Sequence, residues 1–337
     1  MSGTSASIRR SIQSGVDAIF DRPPELGVTL AMMVMRDGDV VAERYGVSPE
    51  NIFEPAKQIT ADSTLISWST AKSITHAAVG ILVSDGLIDP DAPAPVPEWA
   101  GTPKAAITLL DLLEMRSGLR FVEDYVDDGV SHCIAMLFGE GVHDHAAYAA
   151  ALPLDHPPGT VWSYSSGTTN IISRIVGDIV GGGKLGMLEF LNERLFRPVA
   201  MTSAIPKFDE FGTWVGSSYV YATASDFARF GELYRNDGVT ASGQRVLPIG
   251  WADHGRTKVA HDPDSPMAGG VDYGRHWWMW PKYPGSMAAH GHEGQYIIVI
   301  PDRGLTIVHL GKTDAEAVGS LLTLLDHLVA SVPVRSS

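Results

Sequence analysis

The chain has 337 residues, 45% hydrophobic and 19% charged, a composition that excludes a disordered polymer and suits one large globular domain or two intertwined ones. Its 39 acidic residues against 25 basic ones give a net charge of −14, and no Lys/Arg run could build the basic face a nucleic acid requires. A single cysteine, Cys133, excludes an intrachain disulfide and fits a reducing compartment.

In chain order, Arg9 and Arg10 are not followed by the apolar run of a secretory signal, and no stretch of about 18 apolar residues follows anywhere. A cytoplasmic protein without a membrane partner is the expectation. Residues 26–46 read as two strands around the tight Asp37-Gly38 turn. From Thr70 to Leu87, Ile74, Ala77, Ala78, Ile81 and Leu82 recur at helical spacing, and Gly86 with the proline-rich 89–99 stretch ends the helix. Helical patterns recur at 107–119, closed by Gly118, at 170–180, ended by three glycines, and at Asp226–Tyr234. Residues 273–280, 295–301 and 305–310 read as strands, the last two joined at Asp302-Arg303-Gly304, and a closing helix covers 314–332.

Strands at both ends and helices between them predict an α/β (α+β sandwich) fold. An antiparallel sheet is flanked by helices, formed by residues 1–75 and 265–337. A mainly helical second domain, 76–264, is inserted.

Three short stretches carry chemistry. In ISWSTAKSIT (66–75), Ser69 lies where a strand-like segment meets the helix, near the positive end of its dipole, and Lys72 falls on the same face one turn on. A partly desolvated amine beside a hydroxyl can act as its base; alone, the pair equally suits the polar face of a helix. In PPGTVWSYSSGTTN (157–170), Tyr164 follows a Pro-Gly turn, where a phenol beside a lysine would have its pKa depressed and could pass protons, or where the ring could simply pack. In MAAHGHEGQYIIVIP (287–301), Gly291 and Gly294 bracket a break before an apolar strand. Backbone N–H groups there could supply half an oxyanion hole with Ser69, or the glycines could merely turn the chain.

Together and in this order, these stretches resemble the serine hydrolases of the β-lactamase and penicillin-binding-protein superfamily. They are most similar to the class C-type branch, which contains esterases and 6-aminohexanoate-oligomer hydrolases. ITLLDLLEMRSGL, FVEDY (121–125), YATASDFARFGELYRNDG (221–238) and HGHEGQYIIVIPD extend the resemblance over about residues 25–330. It implies Ser69 as the acylated nucleophile, Lys72 as its proton acceptor and Tyr164 as the phenol shuttling a proton to the leaving group. Backbone N–H groups of Ser69 and His292 would hold the oxyanion. Tyr125, Ser166, His290 and Gly291 would contact substrate, Gly291 standing as the glycine of the Lys-Thr-Gly strand motif.

Two departures bear on substrate. Ser166 replaces the asparagine of that branch's β-lactamases, and Ala289 and His290 replace the Lys and Thr before Gly291. The lost lysine would attract a substrate carboxylate. The resemblance therefore implies a carboxylesterase or amidase acting on an uncharged ester or small linear amide, ahead of a β-lactamase or D-Ala-D-Ala peptidase. A catalytically silent binding protein on the same fold is the rival of another class. No cofactor and no metal is expected: HDH (143–145), read as a flexible polar loop, and HGH (290–292) lack partners at ligand spacing. GGGKLG (181–186) follows a helix rather than a strand, so it reads as a helix-terminating loop and not a dinucleotide motif. Oligomeric state is left open.

Overall fold

The computed structural model describes residues 2–52, 54–123 and 129–335. Its main sheet has eight antiparallel strands: β1 (Val28–Arg36), β2 (Asp39–Tyr45), β3 (Ala260–Asp262), β4 (Val271–Tyr273), β5 (Trp278–Met279), β6 (Met287–Gly291), β7 (Gln295–Ile300) and β8 (Leu305–Lys312). Their spatial order is β2-β1-β8-β7-β6-β5-β4-β3, so the first strands of the chain pair with the last, β1 against β8 from Val28↔Lys312 to Arg36↔Leu305. The β1–β2 turn is the expected one, with Asp37 and Gly38 both at positive φ.

The helices used below are α1 (Ser2–Phe20), α2 (Ala71–Ser84), α3 (His132–Phe138), α4 (His145–Ala151), α5 (Ser166–Val180), α6 (Gly183–Phe190), α7 (Ala224–Arg235) and α8 (Val318–Ala330). One face of the sheet is covered by α1 and α8. Ile12, Val16 and Ile19 are fully buried there with Met32, Ile298, Leu321 and Leu325. Each such side chain contributes about 1.5–3 kcal/mol relative to exposure. The other face shares one continuous apolar core with the middle of the chain: Met33, Ala289, Ile297 and Val308 pack in the same cluster as Ile74, Ile171, Leu191 and Phe227. The sheet and the mainly helical segment are thus joined by a common core.

Several elements differ from expectation for local reasons. Helix α1 was not anticipated, although Ile8, Ile12, Val16 and Ile19 recur at helical spacing. The strand expected over 273–280 is two short strands, because His276 adopts φ 60° and reverses the chain between them. The 107–119 helix shrinks to Leu109–Leu113, opened by a Thr108/Asp111 capping box and closed by Met115 at φ 57°. The 143–145 stretch is the start of a helix rather than a flexible loop, since the Asp144 carboxylate caps the Ala147 N–H of α4. The three glycines 181–183, all at positive φ, end α5 and open α6. Leu65–Ile66 leaves the main sheet and pairs with Val220–Ala222, which tethers the start of α2 to the helical segment.

Candidate active site

Ser69 sits in a single 3-10 turn, Trp68–Thr70, that feeds directly into α2. The turn is held from behind by Ser67. Its N–H donates to Val220 O at 2.9 Å, and its hydroxyl accepts from Val220 N at 3.0 Å. Trp68 takes φ 43°, a left-handed conformation uncommon for a bulky residue, immediately before Ser69.

Lys72, the second residue of α2 and one turn on from Ser69, is 2% exposed. Its Nζ donates to Ser69 Oγ at 2.9 Å, Ser166 Oγ at 2.9 Å and Ser217 O at 3.1 Å. Three acceptors match the three hydrogens of an ammonium. Two of them, Ser166 and the Ser217 carbonyl, are fixed by the fold: Ser217 N donates to the buried Asn170 Oδ1 of α5 at 3.2 Å. A neutral Lys72 would keep both and turn its lone pair toward the Ser69 hydroxyl. Burial pushes the Lys72 pKa down, and the nearby Glu123 carboxylate partly offsets this.

Ser166 is the first residue of α5, which Ser165 caps through Thr168 N at 3.0 Å. Its hydroxyl donates to Glu123 Oε1 at 2.6 Å and its N–H to Oε2 at 2.7 Å. The single hydroxyl hydrogen is thereby committed to the carboxylate, so Ser166 can only accept from Lys72. Glu123 lay within the FVEDY stretch but was not singled out. No local signal set it apart from Asp124, Asp127 and Asp128 in the same stretch of sequence. Tyr125, from the same stretch, lies outside the described residues. Cys133 of α3 is buried beside this group, and burial with Glu123 pushes its thiol up to about 12, so it stays protonated.

Lys72 Nζ stands 4.8 Å from the centre of the Tyr164 ring, and the phenol interacts with the Ser69 side chain. The expected depression of its pKa does not occur. Burial, and then the Glu123 charge, push it above the ordinary phenol value. Tyr164 is therefore a proton donor at neutral pH rather than a phenolate base.

On the opposite side, the end of β6 runs against the Ser69 turn. A Cβ on Gly291 would stand 2.7 Å from Ser67 O and 3.3 Å from Ser69 N, so only a glycine lets the two backbones approach this closely. His292 follows on the rim, its ring edge-on to Trp68 at 5.7 Å. His290 is placed differently from expectation. Its side chain stacks on Trp278 at 5.4 Å and accepts from Trp280 Nε1 at 3.2 Å, and it does not line the cavity. Strand alternation accounts for this: His290 shares its face with Ala288 and Tyr296, toward α1 and α8, while Ala289 packs in the core toward α2.

Ser69, Ser166 and His292 open together into a cavity of about 230 Å3, with Trp68, Cys133, Ile134, Leu137, Phe138, Ser218 and Glu293 on its walls. The described residues include no group of three or more His, Cys, Asp or Glu able to hold a metal ion, and no helix long and apolar enough to cross a membrane.

The beta-lactamase family model matches residues 16–330. The chain belongs to this family. By sequence it is 28% identical to the 6-aminohexanoate-dimer hydrolase of Paenarthrobacter ureafaciens over 88% of this chain and 77% of that one. It is also 28% identical to penicillin-binding protein 4 of Amycolatopsis lactamdurans, over 87% and 82% of the respective chains. A penicillin-binding-protein homologue from Caulobacter crescentus superposes with a TM-score of 0.72 at 17% identity, covering 96% of this chain and 98% of that one. A family VIII carboxylesterase superposes with a TM-score of 0.70 at 15% identity over the same shares. The protein is a serine hydrolase of the beta-lactamase fold, with amidase and esterase neighbours.

Proposed function

We propose that the protein hydrolyses an uncharged ester or small linear amide bond through an acyl-enzyme on Ser69. The observation that carries this is the donor set of Lys72, which binds Ser69 Oγ together with two acceptors that survive its deprotonation. Neutral Lys72 takes the Ser69 proton as Oγ attacks the carbonyl carbon, and Glu123, one hydroxyl away, favours the ammonium that results. The oxyanion is received by the N–H groups of Ser69 and His292, which Gly291 allows to converge. Tyr164 donates its proton to the leaving oxygen or nitrogen as the bond to carbon breaks, and Lys72 restores it. Water then attacks the acyl carbon, giving its proton to the same groups, and Ser69 leaves with a proton back on Oγ.

The cavity favours this reading over a β-lactamase or peptidase. Among the described residues lining it none is Lys or Arg, so a substrate carboxylate has no cationic partner, and Ala289 is buried in the core. A 6-aminohexanoate dimer, on which the Paenarthrobacter relative is named as acting, shares the linear amide but carries a terminal carboxylate for which the described lining offers no cation. The test is hydrolysis of p-nitrophenyl butyrate by the wild type and by Ser69→Ala, with intact-mass detection of an acyl adduct. Turnover by the variant at the wild-type rate, or an adduct on another residue, would refute the assignment.

A further inference from the structure

Among the described residues on the cavity wall, the hydrolytic steps leave one charged group unused, Glu293. Glu293 is a non-glycine residue in the left-handed region, at φ 59° and ψ 21°. Such a conformation costs on the order of 1–3 kcal/mol and persists only where the surroundings over-determine it. Here they do. Glu293 O accepts from Thr313 N at 3.0 Å, Gly294 O binds His309 Nδ1 at 2.6 Å, and His292 O accepts from Gln295 Nε2 at 3.0 Å. All three clamps act on main-chain carbonyls from behind the turn, and the Glu293 side chain projects onto the cavity wall. Its Oε2 accepts from the indole of Trp68 at 3.3 Å, and Trp68 is the other strained residue of the site. A carboxylate offers about four acceptor positions, of which this bond occupies one.

Among the described lining residues, an incoming chain meets apolar walls at Ile134, Leu137 and Phe138 and the carboxylate of Glu293. Lys72, hydrogen-bonded to the cavity residues Ser69 and Ser166, has its donors committed to them and to the Ser217 carbonyl. We propose that Glu293 is a specificity-determining residue that recognises a protonated amine carried on an apolar chain of the substrate and turns away substrate carboxylates. This rests on the hydrolase reading above and replaces its uncharged substrate with one that carries a cation away from the scissile bond.

The proposal is tested with n-hexylamine, 1-hexanol and hexanoate, which differ only in the charge of the head group. Their dissociation constants for the full chain are read at pH 7.5 by nuclear magnetic resonance titration, with p-nitrophenyl butyrate turnover measured in parallel. Hexylammonium should bind at least about fivefold tighter than hexanoate, with hexanol between them. Raising the salt from about 50 to about 500 mM should narrow that gap in the wild type, and the isosteric Glu293→Gln should reduce it to about twofold or less. Equal or tighter binding of hexanoate by the wild type overturns the proposal. So does a gap indifferent to salt, or one that survives Glu293→Gln. Loss of ester turnover with the binding order intact would count against the hydrolase reading alone, and turnover without the order against Glu293 alone.

Discussion

Ser166 gives both its backbone N–H and its hydroxyl to the single carboxylate of Glu123, at 2.7 and 2.6 Å, while accepting from Lys72 Nζ at 2.9 Å. The lysine beside Ser69 is thus connected through one hydroxyl to the Glu123 carboxyl group. The Glu123 charge raises the Lys72 pKa against the larger, opposite effect of burial. In the proposed mechanism Lys72 acts in its neutral form, so activity should be lost as pH falls through its pKa. Glu123→Gln removes the charge and should move the acidic limb of kcat/KM to lower pH by about one unit. An acidic limb that stays in place, or moves up, would show that Glu123 does not act on Lys72.

Burial and Glu123 raise the Tyr164 pKa, so the proposed mechanism uses its phenol as a proton donor. Tyr164→Phe should lower kcat by about a hundredfold, the scale of a lost general acid. The loss should be larger for a p-nitroanilide or alkyl amide than for the matching p-nitrophenyl ester, because p-nitrophenolate leaves without a proton. Equal losses on the two substrates would assign Tyr164 a packing role.

The amount of this site that was legible in the sequence follows from how local each feature is. Ser69 and Lys72 lie three residues apart on one helix, so their pairing needs no tertiary information. Gly291 was readable because a glycine before an apolar strand has a specific use where two backbones meet. The partnership of Glu123 with Ser166 spans 43 residues, and no local pattern encodes it. The Tyr164 pKa was misjudged because a lysine nearby suggests depression, whereas burial, which acts in the opposite direction, appears only once the chain is folded. His290 was placed in the site by its position next to Gly291, but strand alternation turns it to the far face of the sheet. In the fold, α1 was missed although its spacing was readable, while the pairing of β1 with β8 followed from finding strands at both ends.

Gly291 offers a steric test of the oxyanion arrangement. Its φ of −130° is open to any residue, so the constraint is space alone. Gly291→Ala would bring a methyl to 2.7 Å from Ser67 O, a backbone atom that cannot swing aside. The two strands of backbone must separate, and kcat should fall about a hundredfold, the scale of one lost oxyanion donor. KM and the circular dichroism spectrum should change little. Full activity in this variant would mean that the N–H groups of Ser69 and His292 do not act together.

The buried histidines predict the acid stability of the whole fold. Burial holds His254, His276, His290 and His309 at pKa values of about 3, and pushes His76 well below the ordinary histidine value. Their rings are neutral members of hydrogen-bond pairs: His76 Nδ1 with Tyr234 OH at 2.7 Å, and His276 Nδ1 with Leu113 O at 2.9 Å. A histidine with a folded pKa below its unfolded value of about 6.5 binds its proton more readily when unfolded. The stability is complete above pH 6.5 and is lost as pH falls toward 3. One such residue costs on the order of 2 kcal/mol at pH 5, less for the partly exposed His254, and several together would consume much of a typical stability of about 5–15 kcal/mol. The melting temperature should therefore hold level from pH 8 to 7 and fall steeply between 6.5 and 5. Replacing His276 by Gln should flatten that fall, because Gln can keep the bond to Leu113 O without a proton to gain. Calorimetric scans across this range check both, and a melting temperature constant down to pH 5 would mean that these rings take up protons without unfolding the chain.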